Sequence, residues 1–241
     1  QYFEVLKKKA LPDNVQFAML ATRFRGNVDP FFAMNAANAS QAGLRLGAYI
    51  YSYATSVEMA QQEADFVLNL IKDYPISFPV VFDAEDANTL GTLTQSQVSD
   101  VINAFCKRIQ DAGYYPMVYA NEYWIANKID MSKISYDIWV AKYQQKYTYS
   151  KTSMWQASNT GSVKGVNGNV DIDYLYKDYT QIIPGNTWRT IAGNRYYYQN
   201  HVMQKAAWIN DGQNWYYMNA AGNPSKGWLE LSGKKYYLEA D

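Results

Sequence analysis

Two periodicities alternate along the first three quarters of the chain. Seven short segments read as strands, at residues 15–21, 44–53, 78–82, 116–120, 137–143, 154–157 and 170–174. They are short and rich in β-branched or aromatic residues, as buried strands are. Between them, apolar positions fall at helical spacing. The clearest stripe is Val98, Val101, Ile102, Phe105 and Ile109, with Cys106 beside it as a small core residue. Helix boundaries are signalled as well. Asp29-Pro30 predicts a start, Thr55-x-x-Glu58 and Thr94-x-x-Gln97 have capping-box form, and Gly43 and Gly113 predict stops. A short helix is expected over residues 2–10, broken by Pro12-Asp13-Asn14.

Strands alternating with helices imply βα units and a parallel sheet, hence an α/β fold of (β/α) barrel type. A closed barrel has eight strands. Seven are read here and the sequence opens on a helix, so the expected architecture is a TIM-like barrel lacking its first strand.

The texture changes near Gly185. Trp188, Trp208 and Trp228 are spaced by 20, and Tyr196-Tyr197, Tyr216-Tyr217 and Tyr236-Tyr237 keep the same period. Turn signals at Asp211-Gly212 and Ala221-Gly222 make this a repeat of short hairpins. Such units are too small to bury their own rings and must stack on neighbours. Trp188, at the boundary, is expected to pack on the first unit. The sequence thus divides into a barrel domain over 1–180 and an aromatic repeat domain over 185–241.

Composition narrows the chemistry. Formal net charge is zero, so there is no electrostatic case for nucleic acid or an anionic membrane. No apolar run spans a membrane, and no signal-peptide pattern is read at the start. Cys106 is the single cysteine and His201 the single histidine, the latter read as a surface residue, so no disulfide, metal or cofactor is expected. Aromatic content reaches 16%, with 23 Tyr and 7 Trp, which suits sugar stacking and large aromatic cores alike.

Candidate catalysis centres on Pro79-Val80-Val81-Phe82-Asp83-Ala84-Glu85. Side chains two apart on a strand point the same way, with stems roughly 6.5–7 Å apart. Two carboxyls in one place can divide a task, one held protonated as an acid and the other ionised, as in sugar-bond hydrolysis. The same D-x-E is also what a solvated strand end with chance acids looks like.

Several segments in order resemble the family 25 glycoside hydrolases, the phage- and bacteria-type lysozymes. They are Asp29-Pro-Phe-Phe-x-x-Asn35, the run from Ala42 to Ala54, the D-x-E strand, Ile138-Trp-Val-Ala-Lys-Tyr143, Trp155-Gln156, and Gly168-Asn169-Val170-Asp171-Ile172-Asp173. The hairpins resemble the choline-binding-type cell-wall repeats fused to such enzymes. The resemblance implies hydrolysis of the β-1,4 bond between N-acetylmuramic acid and N-acetylglucosamine in peptidoglycan, by a secreted or wall-associated protein. It implies Glu85 as general acid/base, Asp83 as its carboxylate partner and Asp171 as a further acid of the cleft. Asp173 and Asp86 are left as structural or surface residues. Tyr53, Tyr119 and Trp139, near strand ends, are expected to line the sugar groove. Trp208, Trp215, Tyr217, Trp228 and Tyr237 are expected to meet choline or another wall polymer. The family's opening Gly-Ile-Asp-Val-Ser-type strand, which carries an acid of its own, has no counterpart in the sequence. The rival expectation is therefore a non-catalytic wall-binding protein on a degenerate barrel. If the tail only anchors, cutting near Gly185 is expected to leave the chemistry intact.

Overall fold

The structure is a computed structural model that describes residues 15–239 except Arg25, Gln144, Lys146, Lys164 and Gly165. The helix expected over 2–10 lies outside the described residues. The seven strands form one sheet in chain order: β1 (Phe17–Ala21), β2 (Arg45–Tyr51), β3 (Ile76–Asp83), β4 (Pro116–Asn121), β5 (Asp137–Ala141), β6 (Thr152–Gly161) and β7 (Val170–Leu175). The sheet curls into a half-barrel. β1 to β6 run parallel, whereas β7 is antiparallel to β6. Gly161 faces Val170 across that last pair, so the chain reverses as a hairpin without the crossover a parallel neighbour needs.

Helices α1 (Phe32–Gln41), α2 (Val57–Ile71), α3 (Gln95–Asp111) and the short α4 (Glu122–Asn127) interleave with the strands. Alternation along β3 serves two cores. Val80 and Phe82 pack toward the helices, Phe82 meeting Phe105 of α3 at 5.2 Å, while Val81 joins Met117, Trp139 and Met154 on the inner face. Asp83, two residues past Val81, therefore points inward. Cys106 lies fully buried in the outer core, where burial pushes its thiol up.

Local signals explain the boundaries. Thr94 and Gln97 form the expected capping box. The cap of α2 is Ser56 rather than Thr55; its hydroxyl accepts from the Met59 N–H. α1 begins later than Asp29-Pro30 suggests, because the Asp29 carboxylate accepts from Phe31 N–H and makes a turn before the first helical residue. Pro79 sits within a central strand, where a missing N–H interrupts pairing. The partner strand shifts register between Leu46 and Ala48, and a side chain on Gly47 would strike the Pro79 carbonyl at 2.9 Å.

The repeats are three hairpins. β8 (Thr187–Ile191) pairs with β9 (Asn194–Gln199), to which β10 (Val202–Met203) adds; β11 (Ala207–Asn210) pairs with β12 (Trp215–Met218); β13 (Gly227–Leu231) pairs with β14 (Lys234–Leu238). The 20-residue period is a structural register, since Trp188, Trp208 and Trp228 stand opposite Tyr197, Tyr217 and Tyr237. Trp188 is a member of the first hairpin, and its ring packs on Tyr197 and on Tyr216 of the second.

The first hairpin is continuous with the barrel core. Ile191, Tyr196, Tyr198 and Met203 belong to the same buried cluster as α2 and α3. Thr190 N–H donates to the Ala112 carbonyl, and Tyr198 hydroxyl to the Lys72 carbonyl. Arg189, only 2% exposed, lies between the rings of Tyr114 and Tyr198 with its guanidinium carbon 3.9 and 4.3 Å from their centroids. His201 is half-buried rather than on the surface, and burial together with Arg189 and Arg45 lowers its pKa.

Candidate active site

A cavity of about 760 Å³ lies between the inner ends of β1, β2 and β7 and the C-terminal ends of β3 to β5. Asp83, Tyr119 and Trp139 stand in register on three adjacent strands and supply one wall. Asp171 and Asp173, two apart on β7, supply another, with Asp29 and Tyr49 beside them.

The carboxyls differ in surroundings. Asp83 is 8% exposed, and its Oδ1 has no hydrogen-bond partner among the described residues. Burial, with the Glu85 charge as the second cause, holds its pKa well above the ordinary carboxylate range. Glu85 sits past the end of β3. Its Oε1 accepts from the Asn121 N–H at 2.9 Å, the residue that caps α4. Burial raises Glu85 as well, while its contacts with Asn121 pull the other way. Repulsion between the two is thus felt chiefly by the deeper Asp83.

Asp173 is not a surface residue. It lines the cavity and accepts the Trp139 indole N–H at 2.9 Å. Burial, then the nearby Asp171 charge, raise its pKa to about 7 against that bond. Asp86 is structural, as expected: it is buried, and its Oδ1 accepts from Asn88 N–H, Thr89 N–H and the Thr89 hydroxyl.

Of the aromatic residues, Tyr119 and Trp139 line the cavity and meet edge-to-face at 4.7 Å. Tyr53 lies outside it, 38% exposed, past the end of β2. Its N–H donates to Glu63 and the Arg23 guanidinium lies over its ring. Tyr49 takes the inward place, two turns of the pleat earlier. Burial and then Asp83, Asp171 and Asp29 hold its phenol protonated. Gln156, 4% exposed, accepts from both the Tyr119 and Tyr143 hydroxyls at 2.8 Å. A glutamine within a buried strand was the signal for it, and the position of Tyr49 inside the strand was the signal for that residue.

On the hairpins, Trp208 meets Tyr217 at 5.4 Å and Tyr236 of the next unit at 5.0 Å. Trp215, Trp228 and Tyr237 are 66%, 75% and 64% exposed.

The family model described as glycosyl hydrolases family 25 matches residues 9–166. A putative cell wall binding repeat matches residues 207–223 and 226–241. The chain is 29% identical over 164 residues to the uncharacterized protein YegX of Escherichia coli O157:H7, covering 66% of this chain and 58% of that protein. It therefore spans less than two thirds of the curated relatives it matches. Among solved structures, the CTP1L endolysin is 26% identical with a TM-score of 0.58, over 69% of this chain and 59% of that one. The bacterial lysozyme from Streptomyces coelicolor shares the fold at 23% identity and a TM-score of 0.54, over 70% and 85% of the two chains.

Proposed function

Because the chain belongs to glycosyl hydrolase family 25, we propose that its cleft hydrolyses the β-1,4 bond between N-acetylmuramic acid and N-acetylglucosamine in bacterial peptidoglycan, while the outer hairpins hold the wall. The observation that carries this reading is the Asp83–Glu85 pair, a cavity-lining carboxyl at the end of β3 and a second just past it, both shifted upward by burial. An upward shift favours the protonated form, the form an acid catalyst requires.

Glu85 is the general acid. It lies nearer the solvent, and the Asn121 N–H fixes one oxygen so that the other is free to protonate the glycosidic oxygen. The proton leaves with the aglycone, and Glu85 then takes one from the attacking water. Asp83 is its partner, the carboxyl that, once ionised, stabilises positive charge that develops at the sugar. Asp171 completes the acidic wall, and Tyr119 and Trp139 present rings to the sugar faces. The CTP1L endolysin and the Streptomyces coelicolor lysozyme, named for wall lysis, agree with this reading.

The exposed rings of the second and third hairpins match the cell-wall repeat, and rings of this kind hold choline or a similar wall cation by cation–π attraction. The site of action is then the cell wall, outside the cell. No described helix is long and apolar enough to cross a membrane. The test is clearing of purified cell walls with release of reducing sugar. Clearing supports the reading. Wall binding without reducing-sugar release overturns the enzymatic part and leaves a carbohydrate-binding protein.

A further inference from the structure

The three hairpins repeat in sequence, yet one position differs in kind. Residues 195, 215 and 235 are Arg, Trp and Lys, each two before the Tyr that faces the hairpin's tryptophan. Side chains two apart on a strand share a face, so each of these residues lies on the face that carries its hairpin's Trp–Tyr pair.

In the first hairpin that face is filled from within. Trp188 meets Tyr197 at 5.1 Å and Tyr216 of the second unit at 4.9 Å. The Arg195 guanidinium carbon sits 4.2 Å from the Trp188 ring centroid. Asp211, in the second hairpin's turn, accepts the Trp188 indole N–H at 3.1 Å and fixes the ring. Arg195 thus covers the ring of the tryptophan that the two tyrosines meet, with the cation–ring contact that an aromatic cage offers its ligand.

The second hairpin repeats the rings without the cation. Trp208 meets Tyr217 and Tyr236 at 5.4 and 5.0 Å, the same arrangement one period on. The place of Arg195 is taken by Trp215, which is 66% exposed. The third hairpin has Trp228 and Tyr237 at 5.3 Å, with no described unit after it to add a third ring.

We propose that Arg195 is an intramolecular ligand of the first cage. It occupies a site with the chemistry of the second, so the tail takes up one quaternary ammonium group, at Trp208, Tyr217 and Tyr236, and none at Trp188. This rests on the reading of the hairpins as wall-binding units. The first cage is thereby committed to joining the second hairpin to the barrel-bound first one, and the second cage to the external ligand. Selectivity follows from effective concentration: a tethered guanidinium outcompetes a free cation for the same rings.

Choline chloride binding to the full chain, measured by isothermal titration calorimetry, tests this. The wild type should bind one choline per chain. Arg195→Gln and Arg195→Ala should bind two, and Arg195→Lys, which keeps a cation, should remain at one. Trp208→Ala should bind none, and Trp208→Ala combined with Arg195→Gln should bind one. Near-UV circular dichroism confirms that each variant retains its ordered tryptophans, and the two neutral substitutions guard against one failing to fold. One choline in the wild type with no gain in either folded neutral variant overturns the proposal and leaves the wall-binding reading standing. No uptake by any form overturns both.

Discussion

Trp139 and Asp173 are joined across the cleft by a 2.9 Å bond from indole to carboxylate. The bond ties a ring of the cavity wall to an acid on the sheet's edge strand, two strands away. Burial, and then the Asp171 charge, push the Asp173 carboxyl from its ordinary 3.8 up to about 7. A carboxyl raised in the folded state contributes stability that is fully present below its unfolded pKa and is lost as pH climbs through the folded one. The window is therefore about pH 4 to 7. A shift of about three units corresponds to up to roughly 4 kcal/mol. Asp173→Asn keeps an oxygen for the indole and removes the titration. Relative to this variant, the wild type should lose stability between pH 4.5 and pH 8, measured by urea unfolding. His201 has the opposite sign, since its lowered pKa favours the folded state as pH rises, but it is common to both proteins and cancels. Parallel pH profiles would show that Asp173 stays ionised.

Glu85→Gln should leave the melting temperature within a few degrees, because the new amide oxygen still accepts the Asn121 N–H that Glu85 accepts now. Its rate on cell walls should fall by at least about a hundredfold, the scale of general acid catalysis. A rate near the parental value in a folded variant would remove Glu85 from the acid's role.

Most of the frame was legible because it rests on local signals. The strands announce themselves by apolar runs, and the Thr94–Gln97 box and Gly113 bound α3 where expected. What the sequence did not show depends on tertiary placement. Tyr53 and Tyr49 share a strand pattern, and only the point where β2 ends decides which ring reaches the cleft. Asp173 looks like one more acid in a polar segment until β7 folds back on β6 and buries it beside Trp139. The reversal of β7 is invisible to periodicity, which is the same in parallel and antiparallel strands. The burial of Arg189 has no local signal, since it needs Tyr114, distant in sequence, as well as Tyr198 of its own hairpin.

Arg189 tests how the hairpins are joined to the barrel. Its Nη2 donates to the Ile76 carbonyl, while Nε and Nη1 are buried without partners among the described residues. Packing between two rings favours it, and incomplete hydrogen bonding opposes it. Arg189→Ala removes the packing and should lower stability by roughly 2–4 kcal/mol. Arg189→Met keeps most of the volume and discards the unsatisfied charge, so its loss should be less than half as large. Chemical denaturation of both variants checks this. Equal losses would mean that charge, not packing, sets the contribution of Arg189.

Two truncations locate the boundary between barrel and wall-binding tail. A chain ending at Gly185 loses Ile191, Tyr196, Tyr198 and Met203, four side chains of the barrel's own buried cluster. At roughly 1.5–3 kcal/mol each, their burial is comparable to the whole stability of a domain. The same cut removes the bonds to Ala112 and Lys72 and the Lys205–Asp73 ion pair. That chain should melt broadly, bind a hydrophobic dye, and hydrolyse soluble glycans poorly through loss of structure rather than of any catalytic group. A chain ending at Lys205 keeps all of these contacts. It should melt cooperatively within several degrees of the full protein and hydrolyse soluble glycans at a similar rate. Without Trp208, Tyr217 and Tyr236 it should fail to sediment with cell walls. If the shorter chain proves as stable and active as the longer, the first hairpin belongs to the tail and its packing against α2 and α3 contributes little.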